Sequence, residues 1–141
     1  MDSRNGNADK AGFRLSPEQP SLSKKILNDE QRFSERILLV IDSLSGHILD
    51  ASIAAVHFYG YPFERLISMK ITEINTLPYF VVMKKRLEAA KNSRSNFIFP
   101  HRLADGRVRD VEVISKTHLF DGKRYLLSEI KDITDTGRAT G

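Results

Sequence analysis

His47, His57, His101 and His118 are the four histidines of the chain, and no cysteine stands with them. A zinc site without thiolate needs imidazole and carboxylate at close spacing, and no H-E-x-x-H pattern or near pair of histidines supplies it. No metal ligand is assigned. His47 and His118 fall beside expected turns and belong to the surface. His57 lies one turn after Ile53 on a short expected helix and His101 in an alternating strand, so these two are placed to point inward. Either would be the general base if the chain were a small α+β enzyme, given a polar partner within hydrogen-bond reach. The acidic residues offer no buried pair, because Asp105, Asp110, Glu112 and Asp121 fall in turns or at strand edges where solvent keeps them ionised. Serine catalysis asks for a G-x-S-x-G elbow and nucleotide hydrolysis for G-x-x-x-x-G-K-[ST]; the chain has neither. No catalytic residue is assigned.

The elements that would position these side chains begin with Ile37 to Ile41, a run of branched residues too short for an independent helix and followed by the turn formers Asp42, Ser43, Ser45 and Gly46. A buried strand fits, and His47 to Ala51 supplies the returning strand of a hairpin. Ser52 stands where an N-cap belongs, before a helix from Ile53 that Gly60 stops. Pro62 suits the first turn of a second short helix, with Phe63, Leu66 and Ile67 inward. Ile71 to Ile74 reads as one more turn. Asn75 and Thr76 offer caps before Pro78 opens the longest helix, along which Phe80, Met83, Leu87 and Ala90 share a face. Asn96 to Leu103, Val108 to Phe120 and Lys123 to Ile133 are strand-like, separated by Asp105-Gly106 and Asp121-Gly122, a pair that favours hairpins. Alternation puts Phe97, Phe99 and His101 on one face with Val111, Val113, Ser115, Leu126, Ser128 and Ile130. The other face carries Ile98, Arg102, Glu112, Ile114, Leu127 and Glu129, apolar enough to need a cover. Upstream, Leu22, Ile26, Phe33 and Ile37 form a stripe with Leu27 beside it, which predicts an amphipathic helix of roughly four turns. Residues 1–20 are polar and aperiodic, the composition of a disordered leader.

With 141 residues and an apolar fraction of 40%, the chain can bury one modest core. Its net charge of +4 is spread among acidic residues and gives nucleic-acid binding little support. No apolar run approaches the roughly 18 to 20 residues that cross a bilayer, so membrane contact by this segment is not expected, and a cytoplasmic location is. Lack of cysteine removes disulfides and thiolate chemistry.

Four stretches in order, "IDSLSGHILDASIAAVHFYGY", "ERLISMKITEIN", "HRLADGRVRDVEV" and "KDIT", resemble the bacterial PAS sensory family over Ile37 to Thr134. The resemblance implies an α+β fold: a five-stranded antiparallel sheet with short helices packed on one face, here with the amphipathic helix of 21–36 ahead of it. That helix would lie across the outer sheet face, pack on its own domain, or pair with its twin in a homodimer. Ser52 stands where such domains often carry asparagine. The division that follows is a leader (1–20), a helix or linker (21–36), the PAS-like domain (37–134) and a polar tail toward an absent effector (135–141).

In the resemblance the face of Phe97 and His101 turns toward the helices and lines any ligand pocket. Phe58, Met83, Phe97, Phe99 and Val113, with His57, His101 and Ser128 as sparse polar anchors, compose either a mostly apolar pocket or a filled core. Haem-binding members ligate iron through a histidine of the long helix, and Pro78 to Asn92 has none. Flavin members use the cysteine or tryptophan that this chain lacks. No cofactor is expected; a small organic ligand stays open. The resemblance also marks Asp132, Ile133 and Thr134 as the passage from the sheet into an outgoing helix, with Asp132 paired to Arg102 or Arg109 and Thr134 as a cap. The implied function is a sensory and dimerising module of a multidomain protein whose effector is a histidine kinase, a diguanylate cyclase or a transcription regulator. The alternatives are the small enzyme above and a dry protein-interaction module.

Overall fold

The computed structural model of the protein describes residues 26–135. Its sheet has strands β1 (Ile37–Asp42), β2 (Ile48–Ala51), β3 (Arg94–Arg102), β4 (Val108–Phe120) and β5 (Lys123–Asp132), all antiparallel in the spatial order β2-β1-β5-β4-β3. The last strand therefore lies at the centre, pairing Ile37 with Ile130 on one side and Val113 with Ile130 on the other. The expected α+β fold with a five-stranded antiparallel sheet is what forms.

β1 is apolar along its length because both of its faces are covered. Leu39 and Ile41 point to the helix-side core, while Leu38 and Val40 join Ile26 and Leu27 in a smaller cluster on the outer face. A helical cover over 21–36 is not seen within the described part. There, helix is confined to one turn, α1 (Asp29–Arg32), Ile26 and Leu27 are buried ahead of it, and Phe33 is 69% exposed. The reason is Asp50, whose carboxylate accepts from the backbone amides of Ile26 and Leu27 and so holds them in a non-helical bend over β1. Residues 21–25, and the leader at 1–20, lie outside the described residues.

On the inner face sit α2 (Ile53–Tyr59), α3 (Phe63–Leu66), a 3-10 turn (Ile71–Glu73) and α4 (Tyr79–Lys91). Ser52 caps α2 by accepting from the Ala55 amide, as expected. α4 departs from expectation in phase. Its buried residues are Val82, Arg86 and Ala89, whereas Phe80 is 74% exposed and Leu87 38%. Counting apolar positions misses this face because Arg86 belongs to it, its Nε and Nη2 donating to the carbonyls of Ser43 and Leu44 in the β1–β2 turn, each at 3.0 Å. Neither Asn75 nor Thr76 caps α4. Its N-cap is Pro78, and the Asn75 amide oxygen accepts instead from the backbone of Leu77.

Only one Asp-Gly pair makes a two-residue hairpin. Asp121 and Gly122 have φ of 52° and 78°, the doubly left-handed turn that matches the twist of β4 and β5. Asp105-Gly106 lies in a wider loop closed by the Leu103 amide donating to the Arg107 carbonyl.

Candidate functional site

Between α4 and the inner sheet face lies a cavity of about 40 Å³, walled by Ile41, Val82, Phe99, Val113 and Leu126 among others. Alternation on β3, β4 and β5 aims these side chains inward, and the α4 stripe of Val82, Arg86 and Ala89 closes the far side. Of the pocket residues expected from sequence, Phe97, Phe99, His101, Val113 and Ser128 line this space. His57, Phe58 and Met83 do not. His57 is exposed on α2, beside a surface depression that it shares with Phe58 and Phe33, and Phe58 packs partly buried against the core. Met83 is half-buried on the neighbouring side of α4, a consequence of the helix phase.

Sequence reasoning puts Ser115 on the inward face without naming it as a pocket residue, takes Asn75 only for a cap, and does not single out Arg86 or Tyr59. Asn75, Arg86 and Ser115 line the cavity, and Ser115 shares a 2.7 Å hydrogen bond with Ser128 across β4 and β5. Alternation had put both serines inward, which was the available signal. For Arg86 it was the spacing from Val82 and Ala89. Nothing local marks Asn75.

His101 is 1% exposed, stacked on Phe99 with planes 5° apart, and its Nδ1 is 2.9 Å from the Tyr59 hydroxyl. Burial pushes the imidazole down to about 3, since desolvation penalises the charged ring, and pushes the Tyr59 hydroxyl up. A tyrosine hydroxyl that only received a bond here would bury its own proton unpaired, so Tyr59 donates to Nδ1 and the His101 proton resides on Nε2. Such a ring is a poor general base near neutrality, because it resists the proton that it would have to take. Among the described residues no three His, Asp or Glu side chains come together as a metal site would require.

A second polar cluster closes the sheet where β5 ends. Arg109 Nε donates to Asp132 at 2.9 Å, and the other carboxylate oxygen accepts from the Thr134 hydroxyl at 2.7 Å and its amide at 3.0 Å. Thr134 Oγ1 in turn accepts from the Asp110 amide at 2.8 Å, and the Ile133 amide donates to the Asp110 carbonyl at 2.9 Å. Partial burial works to raise the Asp132 carboxyl, yet the Thr134 bonds and the Arg109 charge outweigh it and hold it below the usual carboxylate range. The partner of Asp132 is thus Arg109; Arg102 stands exposed at the end of β3, outside the cluster.

The PAS domain of an HTR-like protein from Haloarcula marismortui superposes with a TM-score of 0.66 at 20% identity, covering 74% of this chain and 86% of that one. A domain of a sensory box sensor histidine kinase/response regulator from Geobacter sulfurreducens gives 0.62 at 16% identity, covering 73% and 88%. The chain has the PAS fold. In sequence it is similar to diguanylate cyclase DgcM of Escherichia coli K12, at 32% identity over 106 residues, which is 74% of this chain and 26% of that protein. The chain thus spans about a quarter of the relative that it matches. No protein-family model matches. Among the described residues no helix is long and apolar enough to cross a membrane.

Proposed function

We propose that the chain is the sensory module of a multidomain signalling protein, which converts occupancy of the inner cavity, or contact with a partner, into a rearrangement where the chain leaves the sheet. The observation that carries this reading is the layout of β5. Leu126, Ser128 and Ile130 line the cavity from one face of the strand, and Asp132, the next residue in that alternation, holds the exit. A small displacement of the central strand is then felt at both places, and two states that differ there can be biased by a ligand.

A covalently linked effector would receive the change, and the similarity to a diguanylate cyclase favours that class over a histidine kinase or a transcription regulator. The reading includes a homodimer and a cytoplasmic setting, and a small organic ligand in place of haem or flavin, since α4 offers no histidine and the chain no cysteine or tryptophan. In the full-length protein, Asp132→Ala should change effector output by about fivefold or more while leaving the domain folded, the scale of a typical coupling between sites. Unchanged output in a folded variant would overturn the relay.

A further inference from the structure

α4 carries a second apolar stripe besides the one that it buries. Phe80, Met83, Leu87 and Ala90 follow the spacing of the a and d positions of a coiled-coil seam, turned roughly a third of a turn from the buried line of Val82, Arg86 and Ala89. Phe80 is 74% exposed and Leu87 38%, with Met83 and Ala90 half-buried beside them. A lone exposed apolar side chain is ordinary, whereas four in one seam mark an interaction surface. Lys84 and Glu88 edge the seam on one side, both exposed, and among the described residues neither has an ion pair. The chain's own entering segment does not lead here, because Asp50 holds Ile26 and Leu27 over the outer face of the sheet.

We infer that α4 pairs antiparallel with α4 of a second copy of this chain, about a two-fold axis level with Lys85; this rests on the homodimer in the reading above and names its surface. In that register Phe80 of one copy meets Ala90 of the other, the largest side chain of the seam against the smallest, and Met83 meets Leu87. The charges agree. Lys84 of each copy reaches Glu88 of the other, so the symmetry makes two ion pairs at once. Parallel pairing would instead set Phe80 on Phe80, leave Ala90 facing Ala90, and bring Lys84 and Lys91 beside their own counterparts. A contact built on one helix of 13 residues falls well short of the roughly 1,600 Å² of a standard interface, so the association is weak, with a Kd of about 10–1,000 µM. Because the buried line of α4 closes the cavity, a shift of the helix on occupancy is passed directly to the second copy.

The test is sedimentation velocity of the whole chain from about 10 to 500 µM, across which the unaltered chain should move from monomer toward dimer. Phe80→Asp should weaken association at least about tenfold with little change in melting temperature, since the side chain is exposed. Lys84→Glu and Glu88→Lys should each weaken it, and the two together should restore it, a rescue that only self-pairing allows. If Phe80→Asp does not fold, the charge exchange decides alone. Orientation is read from disulfides, which are specific because the chain has no cysteine of its own. Met83→Cys chains mixed with Leu87→Cys chains should link to each other in preference to themselves; self-linking would overturn the antiparallel register. A dimer indifferent to Phe80→Asp, or a double exchange that restores nothing, would overturn this surface and leave the homodimer standing. A chain that stays monomeric throughout would remove both, and neither result touches the Asp132 relay.

Discussion

Ser52 shows how much one hydroxyl can hold. It is fully buried, accepts from the amides of Leu38 at 3.0 Å and Ala55 at 3.2 Å, and donates to the Arg36 carbonyl at 2.8 Å, so it caps α2 and fastens that helix to the edge of β1. Ser52→Ala should cost about 2 kcal/mol in urea denaturation, a lost cap plus orphaned buried backbone groups; a loss under about 0.5 kcal/mol would contradict this account. The cap was legible from sequence, but its bonds to Arg36 and Leu38 were not, since they join residues that only the fold brings together. His101 carries the pH dependence. Its ordinary value is 6.5 and its folded value about 3, so below 6.5 the unfolded chain takes up a proton that the folded chain refuses. The stabilisation is complete above 6.5 and is lost as pH falls from there toward 3, at a limiting slope of about 1.4 kcal/mol per pH unit. Denaturation from pH 7.5 downward should show wild type losing this advantage relative to His101→Gln. A difference that stays flat with pH would mean that His101 is not held neutral.

Between elements, the decisive contact joins the entering segment to β2. Arg32 meets Asp50 through both terminal nitrogens, at 2.9 and 2.8 Å, while the same carboxylate receives the amides of Ile26, Leu27 and Ala51. Arg32→Ala leaves a buried carboxylate without its cation and should cost about 2–3 kcal/mol, with faster amide exchange at Ile26 and Leu27. Unchanged exchange there would show that the apolar contacts with Leu38 and Val40 suffice. This latch explains why no long helix forms over 26–36. Leu22, Ile26, Phe33 and Ile37 keep helical spacing, but Ile37 was already committed to β1, and a distant carboxylate claims the amides that a helix would have used. α4 was misphased for a related reason. A buried arginine held by the carbonyls of a distant turn is invisible to any count of apolar residues, and that count puts Met83 in the pocket.

For the molecule as a whole, strand number, strand faces and the helix-side core could be read in the sequence because period-two alternation and turn residues act locally. The inward set of Phe97, Phe99, His101, Val113 and Ser128 followed from that alternation. What could not be read was the place of Asn75 and Arg86 in the cavity wall, since it depends on neighbours from β1, β3, β4, β5 and the 3-10 turn. The same geometry states how the parts work together: cavity and chain exit share β5, and neither should change alone. Amide hydrogen exchange on Ala89→Leu, which fills the cavity from α4, tests this most directly. The account predicts that rates at Asp110, Ile133 and Thr134 change about threefold more than those at Ile26 and Leu27 on the outer face. Rates at the exit that match the unaltered chain, in a folded variant whose cavity is filled, would contradict it.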